Sequence, residues 1–221
     1  MERTIVHVMR HGEVYNPEGV LYGRMSGYGL SDLGWQMSAG VATALKDAGA
    51  NITHVVASPL LRAQQTATPT ARAFGLQVHA NKRLVEAGNT FEGVAVNKNR
   101  ALLAHPQYWW RYRNVFRPSW GEPYTEIARR MVAAIASARA AAAGGEALVV
   151  SHQLPIWTLR LFAEGRHLWH DPRARQCSLA SLTSFAFEGA TLSAITYTEP
   201  VRHLLSEAAD MVPGDSQARL A

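Results

Sequence analysis

Short, β-branched and mostly apolar runs recur along the chain, separated by turns and by segments with helical spacing. The first is Thr4-Ile5-Val6-His7-Val8-Met9, followed by Val55-Val56-Ala57, Gln77-Val78-His79 and Ala147-Leu148-Val149-Val150. Runs of this kind suit strands buried on both faces of a parallel sheet. Between them the pattern predicts a helix capped by Ser31 that runs to about Ala48, where Gly49 stops it. A second helix is expected over Leu60 to Phe74, with Pro69 kinking or restarting it. A third runs from about Tyr124 to Ala143, and a fourth carries Pro155 in its first turn and ends near Gly165. Ser181 to Phe187 and Leu192 to Tyr197 flank Glu188-Gly189-Ala190-Thr191, the spacing of an antiparallel hairpin. This alternation reads as one α/β unit over residues 1–205. An insertion or lid at about 89–123 interrupts its rhythm, and 206–221 is expected to be a loose tail.

The residues at the end of each strand turn the picture from architecture to chemistry. Arg10-His11-Gly12-Glu13 closes the first strand, Arg62 lies just beyond the second, Glu86 beyond the third, and Ser151-His152 ends the fourth. In an open parallel sheet these carboxyl ends lie side by side, where ligands bind. Arginine offers a planar fork of donors to phosphate oxygens, histidine can act as base, metal ligand or nucleophile, and Gly12 allows close backbone approach. Two histidines, two arginines and one carboxylate are an inventory for phosphoryl transfer without a metal or other cofactor. The arginines supply the charge neutralisation that a divalent cation would otherwise give. One imidazole attacks phosphorus and a carboxylic acid protonates the leaving oxygen.

The same residues carry a resemblance. Arg10-His11-Gly12-Glu13, Ser58-Pro59-Leu60-Leu61-Arg62-Ala63-Gln64-Gln65-Thr66-Ala67, Glu86 and Val150-Ser151-His152 are similar, in order and separation, to the histidine phosphatase superfamily, the phosphoglycerate mutase-like family. The resemblance spans about residues 4 to 197. It implies a three-layer α/β/α sandwich, with a mostly parallel sheet and an antiparallel edge strand. It also implies roles: His11 as the nucleophile that becomes phosphohistidine, with Arg10, Arg62 and His152 on the phosphoryl oxygens. Gly12 would give close approach, Glu86 would be the proton donor, and Asn16 and Arg24 would be substrate contacts. Asn16 sits one residue off the mutase spacing, and Glu13 competes with Glu86 for the acid's role. The chain departs from the pattern at Gln153, where the family commonly has glycine after Ser-His. The local sequence around Glu86 and the length of the insertion also differ from phosphoglycerate mutases proper. Phosphomonoesterase therefore ranks above phosphoglycerate-type mutase, and a low-turnover phosphate-ligand or protein-binding module ranks below both.

Composition narrows the rest. A 48% hydrophobic, 18% charged chain of 221 residues has ample core for one domain, and a net charge of +5 favours anionic partners. No apolar run reaches the ~20 residues that span a bilayer, no signal-peptide h-region opens the chain, and Cys177 is the only cysteine. These features predict a cytoplasmic protein without membrane contact. Cys177 lacks the downstream arginine of a cysteine phosphatase loop, because Thr183 stands there. His167 to Asp171 reads as a surface turn rather than a metal site. No Gly-x-Ser-x-Gly elbow, Gly-Lys-Ser/Thr loop or His-Glu-x-x-His helix occurs, which disfavours serine hydrolases, nucleotide-triphosphate hydrolases and zinc proteases. Tyr108 to Arg117 interleaves aromatics with arginines, and a substrate lid or subunit contact, as in a homodimer, is favoured there over nucleic acid. The expected partner is a small phosphorylated metabolite.

Overall fold

A computed structural model describes residues 2–94, 121–211 and 218–220. The stretch Tyr108 to Arg117 lies outside them. Six strands form the central sheet, in the order β3-β2-β4-β1-β5-β6. They are β1 (Arg3–Arg10), β2 (Ile52–Ala57), β3 (Val78–Ala80), β4 (Glu146–Ser151), β5 (Leu182–Glu188) and β6 (Thr191–Thr198). The helices are α1 (Asp32–Asp47), α2 (Leu61–Ala73), α3 (Tyr124–Ala141) and α4 (Gln153–Ala163).

The alternation of side chains along each strand builds two cores. Met9, Val55, Ala57, Leu148 and Val150 face one side and pack with Met37, Val41 and Leu45 of α1 and Ala63, Ala67 and Ala71 of α2. Val6, Val8, Val56, Ala147 and Val149 face the other and pack with Ile127, Met131 and Ile135 of α3 and Ile156 and Leu159 of α4. The result is the α/β/α sandwich with a mostly parallel sheet. Ser31 caps α1 by accepting from Gly34 N, 3.0 Å away, and Gly49 follows its end at φ 68°.

The hairpin is the antiparallel part of the sheet, as expected: β5 pairs antiparallel with β1, and the edge strand β6 pairs antiparallel with β5. Two expectations need correction. Pro69 lies inside α2 without interrupting it, because the alanine face of that helix is held against the sheet on both sides of the proline. The tail is not loose where it is described. After a 3₁₀ turn over Arg202–Glu207, β7 (Ala209–Asp210) pairs in parallel with β8 (Arg219–Leu220). Leu205 and Ala208 are buried in the first core, which draws this segment back over the sheet.

Candidate active site

The register of the sheet brings the strand ends together. Arg10 lies opposite Ser151, His11 N donates to Ser151 O at 3.1 Å, and Ser58 N donates to Val150 O at 2.9 Å. On the far side of β2, Asn81 N donates to Ala57 O at 2.9 Å. That bond leads the chain through a 3₁₀ turn at Lys82–Leu84 towards Glu86. Leu84 is fully buried, and its carbonyl accepts from Ser151 Oγ at 2.9 Å, so the segment before Glu86 is tied to the end of β4.

His11 and His152 face each other with ring centroids 5.1 Å apart, at an interplanar angle of 61°. His11 Nδ1 lies 2.8 Å from the carbonyl of Gly12. A carbonyl can only accept, so Nδ1 carries the proton and Nε2 keeps its lone pair. Burial first, then the charges of Arg62 and Arg10, push the His11 pKa well below the ordinary imidazole range, so the ring stays neutral. His152 is pushed down in the same way by burial, Arg62 and His11. Its Nε2 sits 2.9 Å from Ser58 Oγ. His152 Nδ1 is buried with no hydrogen-bond partner among the described residues.

Arg10 and Arg62 are 2% and 1% exposed, so both guanidinium groups have lost their water. Arg62 stands over the Tyr22 ring, 4.7 Å from its centroid, and donates to Gly23 O at 2.6 Å. Arg10 donates through Nη1 to Asp210 Oδ2 at 2.7 Å and through Nη2 to Asp210 Oδ1 at 2.6 Å; Nη1 also reaches Cys177 O at 2.8 Å. The end-on fork of Arg10 is therefore filled by the protein, whereas Nε is buried with no partner among the described residues. Arg62 Nε is in the same condition. Arg10 Nε, Arg62 Nε and His152 Nδ1 thus stand at one sheet edge with no hydrogen-bond partner among the described residues. Leaving a buried donor unmet costs on the order of 1–3 kcal/mol, a penalty that a bound oxyanion would relieve.

Glu86 is partly buried, and one carboxylate oxygen accepts from Ala87 N at 2.7 Å. Desolvation raises its pKa above the ordinary carboxylate value, outweighing that bond and the pull of Arg62 and Arg175. It is therefore the carboxyl in the site with a tendency to hold a proton. Glu13 is bound otherwise: one oxygen accepts from Ser31 Oγ and the other from Ala209 N. It ties the loop after β1 to the cap of α1 and to the C-terminal segment.

Two expected ligand contacts look different in the structure. Asn16 donates to Val20 O at 2.9 Å and to Met211 Sδ at 3.0 Å, and its oxygen accepts from Val20 N, so its amide is committed to its own loop and to the C-terminal segment. Gly12 N donates to Thr66 Oγ1 at 3.1 Å rather than into the pocket. The reason for a glycine is instead packing, since a Cβ at residue 12 would lie 2.7 Å from Gly34 O. The substitution Gly12→Ala is expected to lower stability by about 1–3 kcal/mol, because backbone rather than a flexible side chain blocks the methyl. A thermal melt unchanged by this substitution would refute that account.

Arg24 is half exposed; its Nε donates to Glu86 O at 2.7 Å and its Nη2 pairs with Glu122 at 2.7 Å. It braces the backbone on which Glu86 sits. Cys177 is buried, with its thiol pushed up to about 12, which disqualifies it as a nucleophile. Among the described residues, no group of three or more His, Cys, Asp or Glu is placed to hold a metal ion, and no helix is long and apolar enough to cross a membrane. Sequence reasoning missed Asp210, although a lone acid inside Ala208-Ala209-Asp210-Met211-Val212 is a visible signal.

The chain is similar to known proteins over most of its length. The chain is 51% identical over 199 residues to the uncharacterized protein Rv0525 of Mycobacterium tuberculosis H37Rv, covering 90% of this chain and 98% of that one. It is 34% identical over 183 residues to the probable phosphoglycerate mutase GpmB of Yersinia pestis (strain Pestoides F), covering 79% and 82%. Among solved structures, YhfR of Bacillus stearothermophilus superposes with a TM-score of 0.70 at 21% identity, over 91% of this chain and 99% of that one. Mycobacterial glucosyl-3-phosphoglycerate phosphatase Rv2419c does so with 0.66 at 23%, over 89% and 96%. The family model of the histidine phosphatase superfamily, branch 1, matches residues 6–199, and the chain belongs to that superfamily.

Proposed function

We propose that the protein is a metal-independent phosphomonoesterase that hydrolyses a small phosphorylated substrate through a phosphohistidine at His11. The observation that carries this reading is the His11 imidazole. It is held neutral, with Nδ1 bonded to Gly12 O, beside the buried Nε groups of Arg10 and Arg62 and the buried Nδ1 of His152, none with a partner among the described residues. Nε2 attacks phosphorus while the bond to the leaving oxygen breaks, and Glu86 gives that oxygen its proton. Arg10 Nε, Arg62 Nε and His152 Nδ1 hold the oxygens as charge shifts. Glu86, now a carboxylate, then takes a proton from the water that attacks phosphorus, and His11 returns to its neutral form.

The substitution Glu86→Gln is expected to slow alkyl phosphates by about 10²–10⁴-fold and aryl phosphates far less, since only the poor leaving group requires the proton. Equal slowing for both would remove Glu86 from the acid's role. The raised pKa of Glu86 also sets a sign. Hydrolysis of alkyl phosphates falls as pH rises through that pKa, and this alkaline limb is absent in Glu86→Gln. The lowered pKa of His11 places the acid limb well below the ordinary imidazole range.

The direct test is to mix the protein with a radiolabelled phosphomonoester in the presence of chelator and quench in alkali. Label that survives base, is lost in acid and maps to His11, with phosphate released at the same time, is the expected result. The 34% identity to a probable phosphoglycerate mutase keeps a mutase as the second reading. Label that leaves His11 only when an acceptor alcohol is added would favour it. An unlabelled protein that turns over none of a varied set of esters would overturn both.

A further inference from the structure

Glu86 sits on a stretch, residues 85–88, that lies outside every helix and strand, yet a proton donor must meet the leaving oxygen at hydrogen-bond range. Side chains do the holding. Arg130 of α3 donates through Nη1 to Arg83 O at 2.6 Å and to Val85 O at 2.7 Å. Ser151 Oγ, at the end of β4, donates to Leu84 O at 2.9 Å. Arg24, from the loop after β1, donates through Nε to Glu86 O at 2.7 Å. Four successive carbonyls, from Arg83 to Glu86, thus accept from three side chains that come from distant parts of the chain. The carboxyl of Glu86 is turned by a bond of its own, in which Oε1 accepts from Ala87 N.

One carboxylate joins the two guanidinium groups. Glu122 Oε1 accepts from Arg130 Nε at 2.8 Å, and its Oε2 accepts from Arg130 Nη2 at 3.0 Å and from Arg24 Nη2 at 2.7 Å. Arg130 and Glu122 are 15% and 19% exposed, so their charge-assisted bonds are largely shielded from water. Each nitrogen has a task. Arg130 turns Nε and Nη2 to the carboxylate and Nη1 to the backbone, while Arg24 turns Nη2 to the carboxylate and Nε to the backbone. Glu122 therefore sets the direction from which both forks meet the Glu86 segment. It is docked on that segment as well: Glu122 N donates to Gly88 O at 3.1 Å, and Gly121 forms an antiparallel bridge with Asn89. Without the carboxylate, two cations would stand against the same backbone and repel each other. A displacement of about 1 Å in a reacting group can cost on the order of a hundredfold in rate.

We propose that Glu122 is a positioning residue for the general acid: through Arg24 and Arg130 it holds the backbone on which Glu86 sits, and so aims the carboxyl at the leaving oxygen. This rests on the phosphomonoesterase reading and adds to it a residue that acts only through Glu86. The test measures kcat/KM for isopropyl phosphate and 4-nitrophenyl phosphate in the wild type, Glu122→Ala, Glu86→Gln and the double variant. Glu122→Ala is expected to slow isopropyl phosphate about ten- to a hundredfold and 4-nitrophenyl phosphate less than about threefold, because only the alkoxide needs the acid. In the Glu86→Gln background the same substitution is expected to slow the two esters equally, since the group it positions is gone. Glu122→Gln, which keeps one acceptor oxygen, is expected to recover part of the loss. A general loosening of the fold would slow both esters alike in the single variant, and that result would overturn the proposal. Should Glu122→Ala not fold, Arg24→Met, at a half-exposed site, is expected to shift the ratio of the two esters in the same direction, and an unchanged ratio would overturn the proposal equally. The underlying reading fails differently. Selectivity lost in Glu86→Gln but intact in Glu122→Ala strikes out the positioning role and leaves the acid in place. Equal slowing of both esters in Glu86→Gln, or no phosphate release from either ester in the wild type, removes the acid and the positioning role together.

Discussion

Replacing His11 by alanine is expected to abolish phosphate release, with a loss on the order of 10⁴-fold or more. In the proposed mechanism the other groups position and polarise the phosphoryl group, and His152, its Nε2 engaged by Ser58 Oγ, donates to an oxygen rather than attacking phosphorus. The fold should survive, because the bond made by the His11 side chain is to its neighbour's carbonyl and the sheet bonds of residue 11 use backbone atoms. The variant is therefore expected to melt near the wild type and still bind inorganic phosphate through Arg10, Arg62 and His152, while forming no base-stable label. Retention of more than a few percent of wild-type turnover would show that His11 is not the nucleophile.

The second large effect is expected at Asp210. Its pair with Arg10 joins two side chains that are 2% and 4% exposed, through two nearly equal bonds. Removing one member of such a pair leaves a buried charge uncompensated, and Asp210→Ala is expected to lower stability by about 3–5 kcal/mol. In a chain of this size that corresponds to a fall in Tm of roughly ten degrees. Activity should fall as well, because Asp210 and Cys177 O together aim the guanidinium so that Nε is left for the substrate. Inorganic phosphate binds the folded state alone and should recover part of the lost stability. A melt within a degree of the wild type would mean that the C-terminal segment does not hold Arg10 in solution.

Much of the site is legible in the sequence because its residues fall where strands stop. A strand read as Thr4 to Met9 places Arg10 and His11 at its end whatever the exact register. The same holds for Ser151-His152 after the apolar run at 147–150. Helix boundaries carry similar local signals, and Ser31 and Gly49 mark α1 in the structure as they do in the sequence. Where sequence and structure part, a long-range contact has overridden the local signal. Pro69 reads as a helix breaker from its own chemistry, but the alanine face of α2 holds the helix together across it. Asn16 and Gly12 read as ligand contacts from their positions in the motif. Their partners, Met211 for one and Thr66 and Gly34 for the other, come from elsewhere in the chain.

The sequence by itself determined the α/β class, the sandwich with its parallel core, and the placing of His11, Arg10, Arg62, Glu86 and His152 at or just beyond the ends of neighbouring strands. These arise from periodicity and from the order of residues after each strand, properties that a linear chain displays directly. Tertiary structure decided which atoms of those residues are free. Arg10 lost its end-on fork to Asp210, 200 residues away, and kept Nε. His11 kept Nε2 because Nδ1 met a carbonyl, and Glu13 was drawn off by Ser31 and Ala209. It also set Glu122 between Arg24 and Arg130, beside the segment that carries Glu86. Burial and hydrogen bonding are satisfied across the whole fold at once, so the state of a donor or a proton depends on partners that no local stretch of sequence contains.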